Sequence, residues 1–272
     1  MRYAICNETF CDWPLPKALQ FAVDAGYQGW EVAPFMLTDN IYEFSQAERQ
    51  QYRQSVESAG IPIIGLHWLL AKTEGLHLTQ ADSEMQKRTS DYLCELARLC
   101  RDLGGQVMVL GSPQQRNLAE GQSMDEAMAN AAKVIKAAVP VLEECDVQIA
   151  LEPLGPVEGD FLNTAAEGRE LQAMVGSENV QLHLDVKAMS TESKPIVDII
   201  RDNADTMLHF HANDPNCQGP GMGEIDFAPI FQVLTEIDYD KWVSVEVFDY
   251  EPGIERLVTE SMANMKAARA AT

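Results

Sequence analysis

Four short apolar runs in the second half of the chain each end in a side chain able to ligate a metal or move a proton. The run "IALEPL" carries Glu152, "LHLDVK" carries Asp185, "HFHAND" carries His211 and "SVEVFD" carries Glu246. Side chains of an extended strand alternate between its two faces, so these residues share a face with Ala150, His183, His209 and Ser244 respectively. If the four strand ends meet at one mouth, carboxylates ~4 Å apart repel by about 4 kcal/mol per pair at an effective dielectric near 20, and desolvation adds to that. A divalent cation held by Glu152, Asp185, His211 and Glu246 removes the conflict. An oxygen-rich set with one nitrogen makes Mn²⁺ the first expectation, with Mg²⁺, Co²⁺ or Zn²⁺ as alternatives. His183 and His209, one layer deeper, are expected to hydrogen-bond those ligands from below and hold them in place.

Such a centre suits proton transfer beside a carbonyl. The carbon acid is too weak to ionise at neutral pH unless the resulting oxyanion is stabilised, which a cation bound to the carbonyl and the neighbouring hydroxyl does. A carboxylate must then take the proton, and Glu152 and Glu246 can offer one on either side of a flat enediolate.

The elements that position these residues follow from pattern. Eight strand-like runs ("YAICNE", "GWEVAP", "PIIGLHWL", "QVMVLGS", "QIALEPL", "VQLHLDV", "MLHFHAND" and "WVSVEVF") alternate with segments of helical period. In one such segment Met85, Tyr92, Leu93, Leu96, Leu99, Cys100 and Leu103 recur at helical spacing before Gly104. Ser45, Ser123, Thr164 and Asp226 stand where helix N-caps belong. With no linker and no shift in composition, the pattern predicts one α/β domain over residues 1–272, a single (β/α)8 TIM barrel with a C-terminal helix at about 252–270. A doubly wound sheet is disfavoured, because the turn after the first strand reads "NETFCDWPLP" and carries no dinucleotide fingerprint.

Composition narrows the partners. A formal charge of -22 disfavours nucleic acid and anionic membranes, and the six cysteines show no paired spacing. With no signal-like amino terminus and no apolar run of membrane-spanning length, a cytoplasmic protein is expected.

The order Glu, Asp, His, Glu at the ends of strands five to eight, set in "LEPLGPVEGDFLNT", "LHLDVKAM", "LHFHANDPN" and "SVEVF", resembles the xylose isomerase-like TIM-barrel superfamily. It is most similar to the D-tagatose 3-epimerase and sugar phosphate isomerase/epimerase branch. That resemblance implies a divalent-metal-dependent sugar isomerase or epimerase, with one cation on Glu152, Asp185, His211 and Glu246 and with Glu152 and Glu246 exchanging protons with the sugar from opposite faces. It further implies a substrate contact at Glu158 and a dimer or tetramer of chains. The branch's substrate-binding histidine is replaced by Ala188, and its arginine after strand seven by the stretch around Cys217. Those replacements leave open a lyase acting on 3-keto-glycosides. An abasic-site endonuclease fits poorly with five histidines and a net charge of -22.

Further substrate contacts are expected from His67, Lys187, Trp68 and Phe248 near the strand ends. The glycine-rich "GPGMGEIDF" lacks a neighbouring Arg or Lys, so an uncharged sugar is preferred to a phosphorylated one.

Overall fold

Each apolar run forms a strand, and the strands pair in chain order until the last closes on the first. In a computed structural model that describes residues 1–271, these are β1 (Arg2–Cys6), β2 (Gly29–Val32), β3 (Ile63–Leu66), β4 (Val107–Leu110), β5 (Gln148–Leu151), β6 (Val180–Asp185), β7 (Met207–Ala212) and β8 (Trp242–Val245). All neighbours are parallel, and Tyr3 opposite Val243 with Ile5 opposite Val245 completes a closed barrel. The expected TIM barrel is present. The ladders are shorter than the apolar runs, because the last residues of several runs leave the sheet to line the mouth. Glu152 and Glu246 each lie one residue beyond their strand, Asp185 is the last residue of β6, and His211 lies inside β7.

The surrounding helices are α1 (Leu15–Ala25), α2 (Gln46–Ser58), α3 (Ser83–Leu103), α4 (Met124–Cys145), α5 (Ala165–Val175), α6 (Val186–Met189), α7 (Ile196–Asp202), α8 (Phe227–Glu236) and α9 (Ile254–Ala270). All four anticipated caps form. Ser45, Ser123 and Thr164 make reciprocal capping boxes with Glu48, Glu126 and Glu167, and the Asp226 carboxylate accepts from the Ala228 N–H. Gly104 ends α3 at φ 88°, a left-handed conformation that suits glycine. No helix among the described residues is long and apolar enough to cross a membrane.

The strand period divides the barrel into two environments. Outward residues such as Ile149, Leu151, Leu182, Leu184, Phe210 and Val243 pack under the helices in one large core. Burying a side chain of that size contributes roughly 1.5–3 kcal/mol, so this outer layer offsets the desolvation of a polar interior. Inside, a small separate cluster of Val107, Val109, Ala150 and Leu208 is the only apolar cluster apart from that core among the described residues. By strand period Val107, Val109 and Ala150 face the same way as Glu152, one or more layers below it.

The ladder shifts register at two places, Trp30/Glu31 and Leu182/His183. Both adjoin inward polar residues, and a bulge is a means of re-aiming a side chain next to a site. At the contact of β3 with β4 the backbones approach so closely that a Cβ on Gly65 would lie 2.1 Å from the Val107 carbonyl oxygen. Gly65→Ala should therefore force the two strands apart and destabilise the fold by about 1–3 kcal/mol, read as a lower urea midpoint at unchanged slope.

Candidate active site

The strand ends bring Glu152, Asp185 and His211 together with His183, each offering a ligand atom within 4.8 Å of the others, all four buried. Glu246 joins through His211, whose Nδ1 lies 3.0 Å from Glu246 Oε2 and 3.9 Å from Glu152 Oε1. Asp185 is fixed from two sides: its Oδ1 accepts from the Ala188 N–H at 2.7 Å and its Oδ2 from Asn213 Nδ2 at 2.5 Å.

His211 is oriented from below. Its Nε2 lies 3.2 Å from Glu31 Oε1, and the other oxygen of that carboxylate lies 3.0 Å from His209 Nε2. With Nε2–H donating to Glu31, the Nδ1 lone pair faces the carboxylates of Glu246 and Glu152. Lone pairs cannot face one another at 3.0 Å without a proton or a cation between them, so the donor set fits a divalent ion. His183 lies closer to the centre than a supporting role requires. Its Nε2 is 3.5 Å from Glu152 Oε1, its ring is 4.2 Å from that of His211, and neither ring nitrogen has a hydrogen-bond partner. His209 supports the site through Glu31.

The electrostatics follow from burial and neighbours. Burial raises the Glu152 carboxyl well above its ordinary range, and the charges of Glu246 and Asp185 push the same way. Burial also pushes Glu246 up, but His211 outweighs it and holds that carboxyl low. Asp185 is pushed up to about 6, chiefly by burial. Burial lowers His211, yet Glu246 and Glu31 overcome it and hold the imidazolium well above its usual value. Without a cation, protons on His211 and Glu152 stand in for its charge.

Above these groups is a cavity of about 80 Å³ bounded by Trp68, Glu152, Glu158, Glu246 and Phe248. Trp68 and Phe248 meet edge to face at 5.8 Å between centroids. Lys187 Nζ pairs with Glu158 Oε2 at 2.7 Å and sits 4.9 Å from the Phe248 ring centre, joining the loops after β5, β6 and β8. His67 does not line this cavity: it is fully buried, with Nε2 2.9 Å from Glu8 Oε2. In the glycine-rich loop after β7, the N–H groups of Gly221, Glu224 and Ile225 all point at the Asp214 carboxylate. That carboxylate occupies the place an anion would need.

A profile of the xylose isomerase-like TIM-barrel family matches residues 19–268. This chain belongs to that family. A D-psicose 3-epimerase of Agrobacterium fabrum is 31% identical over 77% of the chain and 72% of its own length. A probable ketose 3-epimerase of Synechocystis is 25% identical over 83% of the chain and 76% of its own length. The crystal structure of a D-psicose 3-epimerase with D-tagatose, from Clostridium cellulolyticum, superposes with a TM-score of 0.84 at 19% identity, covering 100% of this chain and 99% of that one; this likeness concerns the fold.

Three residues important to the site escape sequence reasoning. Glu31, in "GWEVAP", left a legible signal: a carboxylate in an apolar run, 1% exposed. Gly111 left none. A Cβ there would lie 1.4 Å from Glu152 Oε2, so glycine is what leaves that carboxylate its place. Arg116 comes from an irregular loop and is 2% exposed, with Nη1 donating to the Glu152 carbonyl at 2.7 Å and Nη2 to the Leu162 carbonyl at 3.4 Å. Burial lowers its guanidinium to about 10, against the attraction of Glu152 and Glu158. Arg116→Met should destabilise the fold by roughly 3 kcal/mol in urea unfolding, since two buried carbonyls lose their donor. Lysine should restore little of this, lacking the planar fork.

Proposed function

We propose that the protein is a divalent-cation-dependent epimerase of uncharged ketoses, with Glu152, Asp185, His211 and Glu246 holding the cation and with Glu152 and Glu246 as the acid/base pair. The observation that carries this reading is His211, tied through Nε2 to Glu31 and presenting Nδ1 to two carboxylates at the mouth. The 3-epimerase names of the two curated relatives agree with it. The internal Asp214 anchor in the loop after β7 favours an uncharged sugar over a phosphorylated one.

A bound dication would supply Lewis-acid stabilisation of the oxygens that become negative when the proton beside the carbonyl leaves. The chain's residues do the rest. Glu246 and Glu152, both bordering the cavity, are the carboxylates placed to exchange the proton with the sugar, one accepting it and the other returning it. Their roles exchange in the reverse direction. Trp68 and Phe248 offer apolar faces to the sugar and close its approach to water, and Glu158, held by Lys187, presents a carboxylate to its hydroxyls.

Proton NMR of ketoses in heavy water with added Mn²⁺ should show solvent deuterium entering at the epimerised carbon. Glu152→Gln and Glu246→Gln should each slow exchange by at least about 100-fold, and chelation should abolish it. Turnover without deuterium uptake would overturn the proton-transfer mechanism, and release of an aglycone from a 3-keto-glycoside would make the protein a lyase instead.

Cation binding should also release protons. His211 is held well above its ordinary value and Asp185 is pushed to about 6, and both must be deprotonated to ligate. Affinity should therefore rise as pH rises through the titration of these groups and weaken on acidification. Calorimetry at pH 7 in two buffers of different ionisation enthalpy should show net proton release.

A further inference from the structure

Beside the four residues of the proposed cation site lies a second group, of which the chemistry above uses only Glu246. Cys6, Glu8, His67 and Glu246 are buried and each offers a ligand atom within 4.8 Å of the others. Cys6 is the last residue of β1, Glu8 lies in the 3-10 turn that follows it (Asn7–Phe10), His67 follows β3, and Glu246 is shared with the first group.

Two observations mark this group as more than a polar patch. Glu8 Oε1 and His67 Nδ1 lack a hydrogen-bond partner, although these side chains are 5% and 0% exposed. Glu8 Oε2 and His67 Nε2 meet as an ion pair at 2.9 Å, which leaves the second oxygen and the second ring nitrogen for another partner. Leaving such groups unpaired in a dry interior is unfavourable. The second observation is charge. Glu8, Glu31, Glu152, Asp185 and Glu246 are all 5% exposed or less. The nearby permanent cations are Arg116 and Lys187, and Lys187 is paired with Glu158. Once His211 is a neutral ligand, one dication and Arg116 leave these five carboxylates two charges short of neutrality, and a second dication bound with the Cys6 thiolate narrows the deficit to one.

We propose that Cys6, Glu8, His67 and Glu246 form a second divalent-cation site, bridged to the first through Glu246. A thiolate, an imidazole and two carboxylates suit Zn²⁺ or Co²⁺, in contrast to the oxygen-rich first site. The ion enters from the cavity that Glu246 lines. Without it, burial keeps the Cys6 thiol protonated, near Glu31 Oε2 and Ser244 Oγ, each at 3.7 Å. Ligation displaces that proton.

The sharing of Glu246 makes this site rest partly on the first, and the test separates them. Cation-free full-length protein is titrated with Co²⁺ and followed by equilibrium dialysis and near-ultraviolet absorption. Two equivalents should bind, one of them accompanied by a thiolate-to-cobalt band. Cys6→Ser should lose the band. His67→Gln, checked for native circular dichroism, should lower the stoichiometry from two to one. Asp185→Asn should keep the band while losing the other equivalent. A single equivalent with no band, or a band that survives Cys6→Ser, overturns the second site. If wild type and Asp185→Asn both bind one equivalent with the band, the second site stands and the reading of the first fails.

Discussion

The contact between Glu31 and His211 is the one on which the site depends. A neutral imidazole has one donor and one acceptor nitrogen, and whatever holds one of them decides what the other can do. Here a carboxylate from β2, 1% exposed, takes Nε2 and leaves Nδ1 for the mouth. Glu246 and Glu152 gather around that nitrogen; burial holds the Glu152 carboxyl high, while His211 overcomes burial to hold that of Glu246 low. Glu31 itself is held well below the usual carboxylate range: burial works against ionisation, and His209 and His211 more than reverse it. The buried charge is thus stabilised by the imidazoles it orients.

A closed parallel barrel is suited to carrying such a group. Its outer face meets the helices in a large apolar core, so the interior is free to be polar at its upper end while Val107, Val109, Ala150 and Leu208 keep part of the interior apolar. The side chains that meet at the mouth come from strands far apart in the chain and cannot drift independently, because each strand is fixed by two neighbours. Glycines complete the fit where space is shortest. Gly65 admits the β4 backbone, and Gly111 leaves room for the Glu152 carboxylate.

The rim has a different character. Lys72 over Phe35, Phe35 against Trp68, Trp68 against Phe248 and Lys187 over Phe248 form an unbroken line of contacts across several loops. Each is worth about 0.5–1.5 kcal/mol. Together these contacts cover the buried carboxylates of Glu152 and Glu246 below.

Much of this was legible in the residues alone. Periodicity and turn chemistry determined eight strands and their helices, because alternation and capping are local properties; Ser45, Ser123, Thr164 and Asp226 cap helices as their types require. The residues Glu152, Asp185, His211 and Glu246 announced themselves by ending apolar runs in consecutive strands. What only the tertiary structure decided was partnership. His67 turned to Glu8 and away from the cavity, His183 moved in beside Glu152, and Arg116 and Gly111 acquired their importance from a carboxylate distant in the chain. Local pattern reports which face a side chain occupies; which atoms it meets there depends on strand register and barrel closure, which no single segment encodes.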